Sequence, residues 1–256
     1  MLGTDFVPVG SQDNTLLFED FIVDMSGVVP CKYSDRATKA ATIYKRVGEA
    51  YKTYYYVSDA YSQDEDDEDL YEGWCDGSST LVTYTPKSEE DTFEAYNITL
   101  DIGEGVWFRA AGHSGAVTLT LAGQVKSDGK VEKTVQGDTY YMIAPGLPVD
   151  YEIAKIATTG TACKYSERST KANTIYRRVG EAYKTYYYVS DAYSQDEDDE
   201  ELYEGWCDGS STLTSYTPKS AEDTFEGENI TITAGEGIWF KPNTDAQVKL
   251  TFDLNN

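Results

Sequence analysis

The sequence is poor in histidine: a single one, His113, stands among 256 residues. It lies in the polar turn Gly112-His113-Ser114-Gly115, and the corresponding stretch of the second half, Asn243-Thr244-Asp245, has none. Catalysis by Ser-His-Asp or Cys-His needs a base held by an orienting partner, so the chain is expected not to be an enzyme. Basic residues are also scarce, 21 against 45 acidic ones, for a formal charge of −24. Such a chain repels nucleic acid and anionic membrane surfaces. No run approaches the ~20 apolar residues of a membrane helix, which argues against membrane insertion. The opening Met1-Leu2-Gly3-Thr4-Asp5 lacks a basic stretch followed by an apolar one and does not read as a signal peptide. A removed leader and a protein that never used one both fit it.

What is abundant is tyrosine, with 22 residues against three methionines, a composition that leans towards strands. The chain is organised by a duplication at an offset of 132. Cys31–Leu81 matches Cys163–Leu213 at 46 of 51 positions, the changes being Asp35/Glu167, Ala37/Ser169, Ala41/Asn173, Lys45/Arg177 and Asp69/Glu201. The match continues loosely to Gly103-Glu104-Gly105-Val106-Trp107-Phe108 and Gly235-Glu236-Gly237-Ile238-Trp239-Phe240. The expected organisation is a first β domain over 1–126, a polar linker over 127–135 and a second β domain over 136–256. Exchange within the gene would keep the middles alike; so would a repeating assembly in which both middles do one job.

The periods inside each repeat are those of strands. Thr42–Val47 alternates, Gly48-Glu49-Ala50 turns, and Tyr51–Val57 returns as a hairpin. Leu70–Cys75, Asn97–Leu100, Val106–Arg109 and Val117–Leu121 are further candidate strands, while Leu16–Asp24 reads as a short helix. Short strands at this spacing predict an all-β fold of two tandem homologous β-sandwich or barrel-like domains.

Three sets of residues could carry function. The cysteines fall one pair per repeat, which favours Cys31–Cys75 and Cys163–Cys207 disulfides and an oxidising compartment; four buried free thiols are the alternative. The acidic runs Asp64-Glu65-Asp66-Asp67-Glu68-Asp69 and Asp196-Glu197-Asp198-Asp199-Glu200-Glu201 crowd carboxylates that a hard cation could join. Calcium is the candidate cofactor, with Asp64, Asp66, Asp67, Asp196, Asp198 and Asp199 as ligands, although no EF-hand glycine is present and a solvated loop fits equally. The aromatic strip includes Tyr54, Tyr56 and Trp74, with copies at Tyr186, Tyr188 and Trp206. Neighbours in the Tyr54-Tyr55-Tyr56 triplet point to opposite faces, so some are expected outside, to stack on sugar or bury against another subunit. Asn97-Ile98-Thr99 and Asn229-Ile230-Thr231 match the glycosylation sequon but are read as chance.

Thr42-Ile43-Tyr44, Tyr54-Tyr55-Tyr56, Glu72-Gly73-Trp74 and Gly103-Glu104-Gly105-Val106-Trp107-Phe108 follow one another in an order that resembles uncharacterised β-rich repeat domains of secreted and surface proteins from verrucomicrobial and lentisphaeral bacteria. The resemblance implies an extracellular or cell-surface setting and brings no catalytic residues. The expectation is a structural subunit of an extracellular assembly, a filament or surface layer whose partners are copies of itself. Head-to-tail contacts, or a strand from Leu2–Val9 added to a neighbour's sheet edge, would extend it. A carbohydrate-binding or adhesive module, and a virion structural or decoration protein, are the alternatives.

Overall fold

The computed structural model describes residues 2–3, 15–17, 22–61, 70–80, 99–110, 118–121, 128–137, 139–147, 149–180, 182–193, 202–209, 230–243 and 247–255. The chain is all-β and divides into two compact units, Met1–Gln124 and Val125–Asn256. Unit 1 contains β1 (Leu2–Gly3), β2 (Thr15–Leu17), β3 (Ile22–Ser26), β4 (Ala41–Val47), β5 (Ala50–Tyr61), β6 (Leu70–Cys75), β7 (Thr99–Asp101), β8 (Gly105–Ala110) and β9 (Thr118–Leu121). Unit 2 contains β10 (Lys130–Gln136), β11 (Tyr141–Ile143), β12 (Tyr151–Glu152), β13 (Ala157–Thr158), β14 (Thr174–Val179), β15 (Ala182–Tyr193), β16 (Leu202–Cys207), β17 (Thr231–Ile232), β18 (Ile238–Lys241) and β19 (Gln247–Asp253). One helical turn precedes the main hairpin of each unit, α1 (Arg36–Lys39) and α2 (Arg168–Lys171).

The same five-stranded antiparallel sheet recurs, ordered β1-β8-β4-β5-β6 in unit 1 and β11-β18-β14-β15-β16 in unit 2. Smaller pairs complete the sandwich-like arrangement: β2 with β7 and β3 with β9, matched by β12 with β17 and β13 with β19. Period-2 alternation puts Ile43, Tyr54 and Trp74 on one face of the first sheet, where they pack with Val106, Leu100 of β7 and Met25 of β3. Val57, Ala60 and Cys75 lie in a second cluster with Tyr33, Tyr55 and Tyr71. Both faces of β5 are therefore half-covered, which is why the strand is tyrosine-rich rather than cleanly apolar and polar.

The β4–β5 hairpin closes with Val47 opposite Ala50 across a two-residue turn. Gly48, at φ +64, supplies the positive φ that such a turn requires at its first central position, and Gly180 repeats it. Two expectations change here. The stretch expected as a linker over 127–135 is mostly β10, whose alternate residues Val131 and Val135 are buried beside β19. The stretch expected as a helix over Leu16–Asp24 holds strand residues of β2 and β3 instead.

Where the repeats differ, packing differs. Asn173 replaces Ala41 at a fully buried position, and its Oδ1 accepts the Asn243 N–H at 3.0 Å. Its amide lies against Gly160, where an added Cβ would sit 1.9 Å from Asn173 Nδ2. Gly160→Ala is therefore expected to lower stability by roughly 1–3 kcal/mol through overpacking. Adding Asn173→Ala should restore part of that loss in urea melts; equal melts for wild type and Gly160→Ala would refute the packing account.

Candidate functional site

The cysteines come first, because the structure corrects them. Cys31, Cys75, Cys163 and Cys207 are all free thiols. In unit 2, Tyr188 N–H donates to Asn173 O just ahead of β14. Ser190 N–H, two residues on and so aimed the same way, donates to Cys163 O. Cys207 pairs with Tyr187 from the opposite side, on β16. The backbone of β15 thus runs between the two cysteines, two strand spacings or about 10 Å, which exceeds the roughly 7 Å Cα limit for a disulfide. The same bridge, Cys31 to Val57, with Cys75 opposite Tyr55, separates the pair in unit 1. Burial pushes the Cys75 and Cys207 thiols up to about 12, with Asp76 and Asp208 adding to the shift.

A polar clasp holds the segment that the disulfide was expected to hold. Tyr33 N–H donates to Asp59 Oδ1 at 2.5 Å, and its hydroxyl donates to Gly77 O. The Arg36 guanidinium stacks 3.8 Å from the Tyr33 ring centroid and also faces Tyr55. Tyr165, Asp191, Gly209, Arg168 and Tyr187 repeat every element of it. These residues are partly exposed, and cation–π contacts in such settings contribute about 0.5–1 kcal/mol.

The aromatic strip is mostly core. Tyr54, Trp74, Tyr186 and Trp206 are buried, and Trp206 Nε1–H donates to Ile156 O at 3.2 Å. Tyr56 and Tyr188 are half-buried beside Trp74 and Trp206, with ring centroids 5.4 and 5.2 Å apart. Their hydroxyls donate to Glu72 and Glu204 at 2.6 Å, and burial followed by these bonds raises both phenols far above their ordinary value. None of the six is laid out as an open platform for a sugar ring. Among the described residues the exposed aromatics are others: Tyr51, Tyr61, Tyr140 and Tyr183.

The acidic residues Asp64, Asp66, Asp67, Asp196, Asp198 and Asp199 lie outside the described residues. Among the described residues, the carboxylates nearest to them in sequence are already engaged, Asp59 and Asp191 by backbone N–H groups and Glu72 and Glu204 by tyrosines. Among the described residues no group of His, Cys, Asp and Glu forms a metal-binding set. Asn97 and Asn229 also fall outside them. Leu2–Gly3, expected to reach a neighbour's sheet, pairs with β8 of its own unit.

Sequence reasoning missed the ion pair behind the Gly-Glu-Gly motif. Glu104 accepts from Lys45 Nζ at 2.6 Å and from the Asp101 N–H at 3.0 Å, closing the β7–β8 turn onto β4. Glu236 does the same with a bidentate Arg177, 3.0 Å on each arm, and the Thr233 N–H. The cue was present: Lys45/Arg177 is one of five changes and keeps its charge. Both Lys45 and Glu104 side chains are nearly buried, 12% and 11% exposed. Glu104→Gln is expected to cost roughly 1–3 kcal/mol, because a buried cation loses its charged partner. The exposed Lys39–Asp35 pair should contribute nothing measurable. A Glu104→Gln melt that matches wild type would show that the motif is not held this way.

The hairpin tips stand apart from the cores. Residues 47–52 are exposed along both strands, and they include Val47 and Tyr51; Val179 and Tyr183 recur at the second tip, all four 41–45% exposed. Leu70 and Leu202 are equally open at the far end of the same sheets. No family model matches the chain, and no curated protein or solved structure is significantly similar to it.

Proposed function

We propose that the chain is a structural subunit of an extracellular assembly, a filament or surface layer built from copies of itself. The observation that carries this reading is the recurrence, in both units of a chain whose net charge is −24, of one hairpin tip that exposes an apolar side chain on each of its two faces, Val47 and Tyr51 in the first and Val179 and Tyr183 in the second. A lone exposed apolar residue needs no explanation, but the same tip kept twice gives each chain two equivalent sticky points. Two valences per subunit suffice to extend a chain of copies without closing it. Charge opposes the association: subunits of this acidity repel across about 10 Å at 0.1 M salt. The acidic runs between β5 and β6, and between β15 and β16, are where calcium would relieve that repulsion.

The test uses the intact protein in sedimentation velocity and negative-stain microscopy, with millimolar calcium and with chelator. Polymers are expected with calcium and dispersal with chelator. Val47→Glu, Tyr51→Glu, Val179→Glu and Tyr183→Glu together should abolish polymers while leaving the melting temperature in place. A protein that stays monomeric at high concentration with calcium would end this reading.

A further inference from the structure

We infer that the outer face of each five-stranded sheet binds an acidic polysaccharide, with sugar rings against its aromatic side chains and carboxylate or sulfate groups against its cations. Strand register defines this face, because residues directly opposite in an antiparallel pair share a side. Tyr44 lies in one row with Thr53 and Trp107, and Arg46 lies beside Tyr51 in the next. Unit 2 repeats these rows with Tyr176, Thr185 and Trp239, and with Arg178 and Tyr183. In a third row Thr42 stands between Tyr55 and Arg109, and Thr174 between Tyr187 and Lys241. The core is on the other side, where Ile43 packs with Tyr54. Both threonines of the third row are buried, and Arg36 and Arg168 lie over Tyr55 and Tyr187. The first two rows are open: Tyr44, Trp107, Tyr176 and Trp239 are half-buried, and Tyr51 and Tyr183 are exposed.

Charge selects the occupant. In a chain with 45 acidic residues, no position in these rows is acidic, and each unit places two cations there, Arg46 with Arg109 and Arg178 with Lys241. Glu104 and Glu72 of unit 1 meet Lys45 and Tyr56, whose places in the alternation put them on the core side. Asp59, further along β5, accepts the Tyr33 N–H. The net charge of −24 is screened beyond about 10 Å at 0.1 M salt, so a ligand at contact meets the local cations. Beyond Leu81 and Leu213 the match between units loosens, yet Trp107 and Trp239 correspond and Arg109 changes only to Lys241. The ion pair explains the Gly-Glu-Gly motif, and core packing explains Phe108 and Phe240. Neither explains a tryptophan on the outer side.

Aromatic rings with a few polar groups between them suit a sugar, whose C–H face packs on the ring while its hydroxyls find partners. Thr53 and Thr185 supply such partners, which stacked bases do not need. Arginine and lysine add the pairing with an oxyanion. In unit 2 Tyr140, 46% exposed, lies beside the row, its ring centroid 5.6 Å from that of Tyr176 and 6.3 Å from that of Trp239. The Tyr140 and Trp239 planes meet at 88°, and Lys241 Nζ is 5.8 Å from the Tyr140 centroid. The two rings make a corner, one to underlie a sugar and one to stand along its edge, with an ammonium at the rim. Their mutual contacts fix these side chains in advance, which lowers the ordering cost of binding. Such a site would fasten an assembly to a surface polymer, but it does not rest on the hairpin-tip contacts proposed above.

The intact protein, free of calcium, is titrated with polygalacturonate, dextran sulfate, uncharged dextran and oligothymidylate, by calorimetry and tryptophan fluorescence. Trp74 and Trp206 are buried, so a fluorescence change reports on Trp107 and Trp239. Polygalacturonate marks a carboxylate site and dextran sulfate a sulfate site. One of them should bind at least about tenfold tighter than dextran, and more weakly as salt rises to ~0.15 M. Arg109→Glu with Lys241→Glu should abolish binding at an unchanged melting temperature, while Arg109→Lys with Lys241→Arg should keep it. Trp107→Ala with Trp239→Ala should weaken it at least about tenfold in calorimetry. Binding of neither acidic polysaccharide, equal binding of dextran, or oligothymidylate bound as tightly overturns the inference. Binding that survives Arg109→Glu with Lys241→Glu overturns it too. Polymers formed by a protein that binds neither polysaccharide leave the hairpin-tip reading standing, and a monomer that binds one leaves this site standing alone.

Discussion

Trp206→Ala is expected to lower the stability of unit 2 by about 3–5 kcal/mol for the cavity, with about 1–3 kcal/mol more for the Ile156 carbonyl it orphans. Trp206 is 1% exposed and lies on β16, and its indole N–H is the donor to Ile156 just ahead of β13. It therefore ties the five-stranded sheet to the smaller one through both volume and a hydrogen bond. Domain stabilities run to only about 5–15 kcal/mol, so the variant should bring unit 2 close to unfolding at room temperature. Trp206→Phe retains most of the volume and should fall between wild type and alanine. Tyr183→Ala, at the exposed hairpin tip, should stay within about 0.5 kcal/mol of wild type. Urea melts followed by fluorescence separate these cases, and a Trp206→Ala midpoint equal to that of Tyr183→Ala would refute this view of the core.

Much of the fold was legible because burial on one face writes itself into the sequence with a period of two. Thr42–Val47, Leu70–Cys75 and Val106–Arg109 were read as strands and lie in β4, β6 and β8. The hairpin was legible from Gly48-Glu49, since few residues other than glycine sit comfortably at φ +64. β10 was not legible: five of its seven residues are polar, and two valines two turns of the pleat apart do not distinguish an edge strand from a linker. The cysteine pairing failed for a different reason. A repeat shows that two residues travel together, but not on which side of an intervening strand each one stands, and β5 and β15 pass between the pairs. The site was read less well than the fold. Tyrosines and tryptophans carry no mark of exposure, so the sequence does not tell the buried Tyr54 and Trp74 from the exposed Tyr51. What singles out the tip is where the hairpin outruns the core, a property of packing rather than of residue type.

Raising the pH should unfold the protein well before any backbone chemistry begins. The Cys75 and Cys207 thiols are raised from an ordinary 9.0 to about 12, chiefly by burial. The Tyr56, Tyr188 and Tyr176 phenols are raised as well, by burial first and then by hydrogen bonds with Glu72, Glu204 and Tyr140. In each case the folded state holds the proton more tightly than the unfolded state does. Their contribution to stability is complete below the unfolded value, near pH 9 for the thiols, and is lost as pH climbs towards the folded value. Each such group adds a slope of about 1.4 kcal/mol per pH unit across its window. One thiol and one or more tyrosines per unit can thus consume an ordinary domain stability within about two to three pH units. Melts between pH 7 and 9 should therefore coincide, with midpoints falling steeply above that. Cys75→Ala with Cys207→Ala should flatten the first part of the fall, between pH 9 and 10, where phenols do not yet titrate. Thiol labelling gives an independent reading at pH 8: a threefold-decade shift in pKa leaves about a thousandfold less thiolate, so Cys75 and Cys207 should label only once urea unfolds their unit. Fast labelling of the folded protein, or stability that holds level to pH 11, would show that these thiols do not lie in the closed interior on which this fold is built.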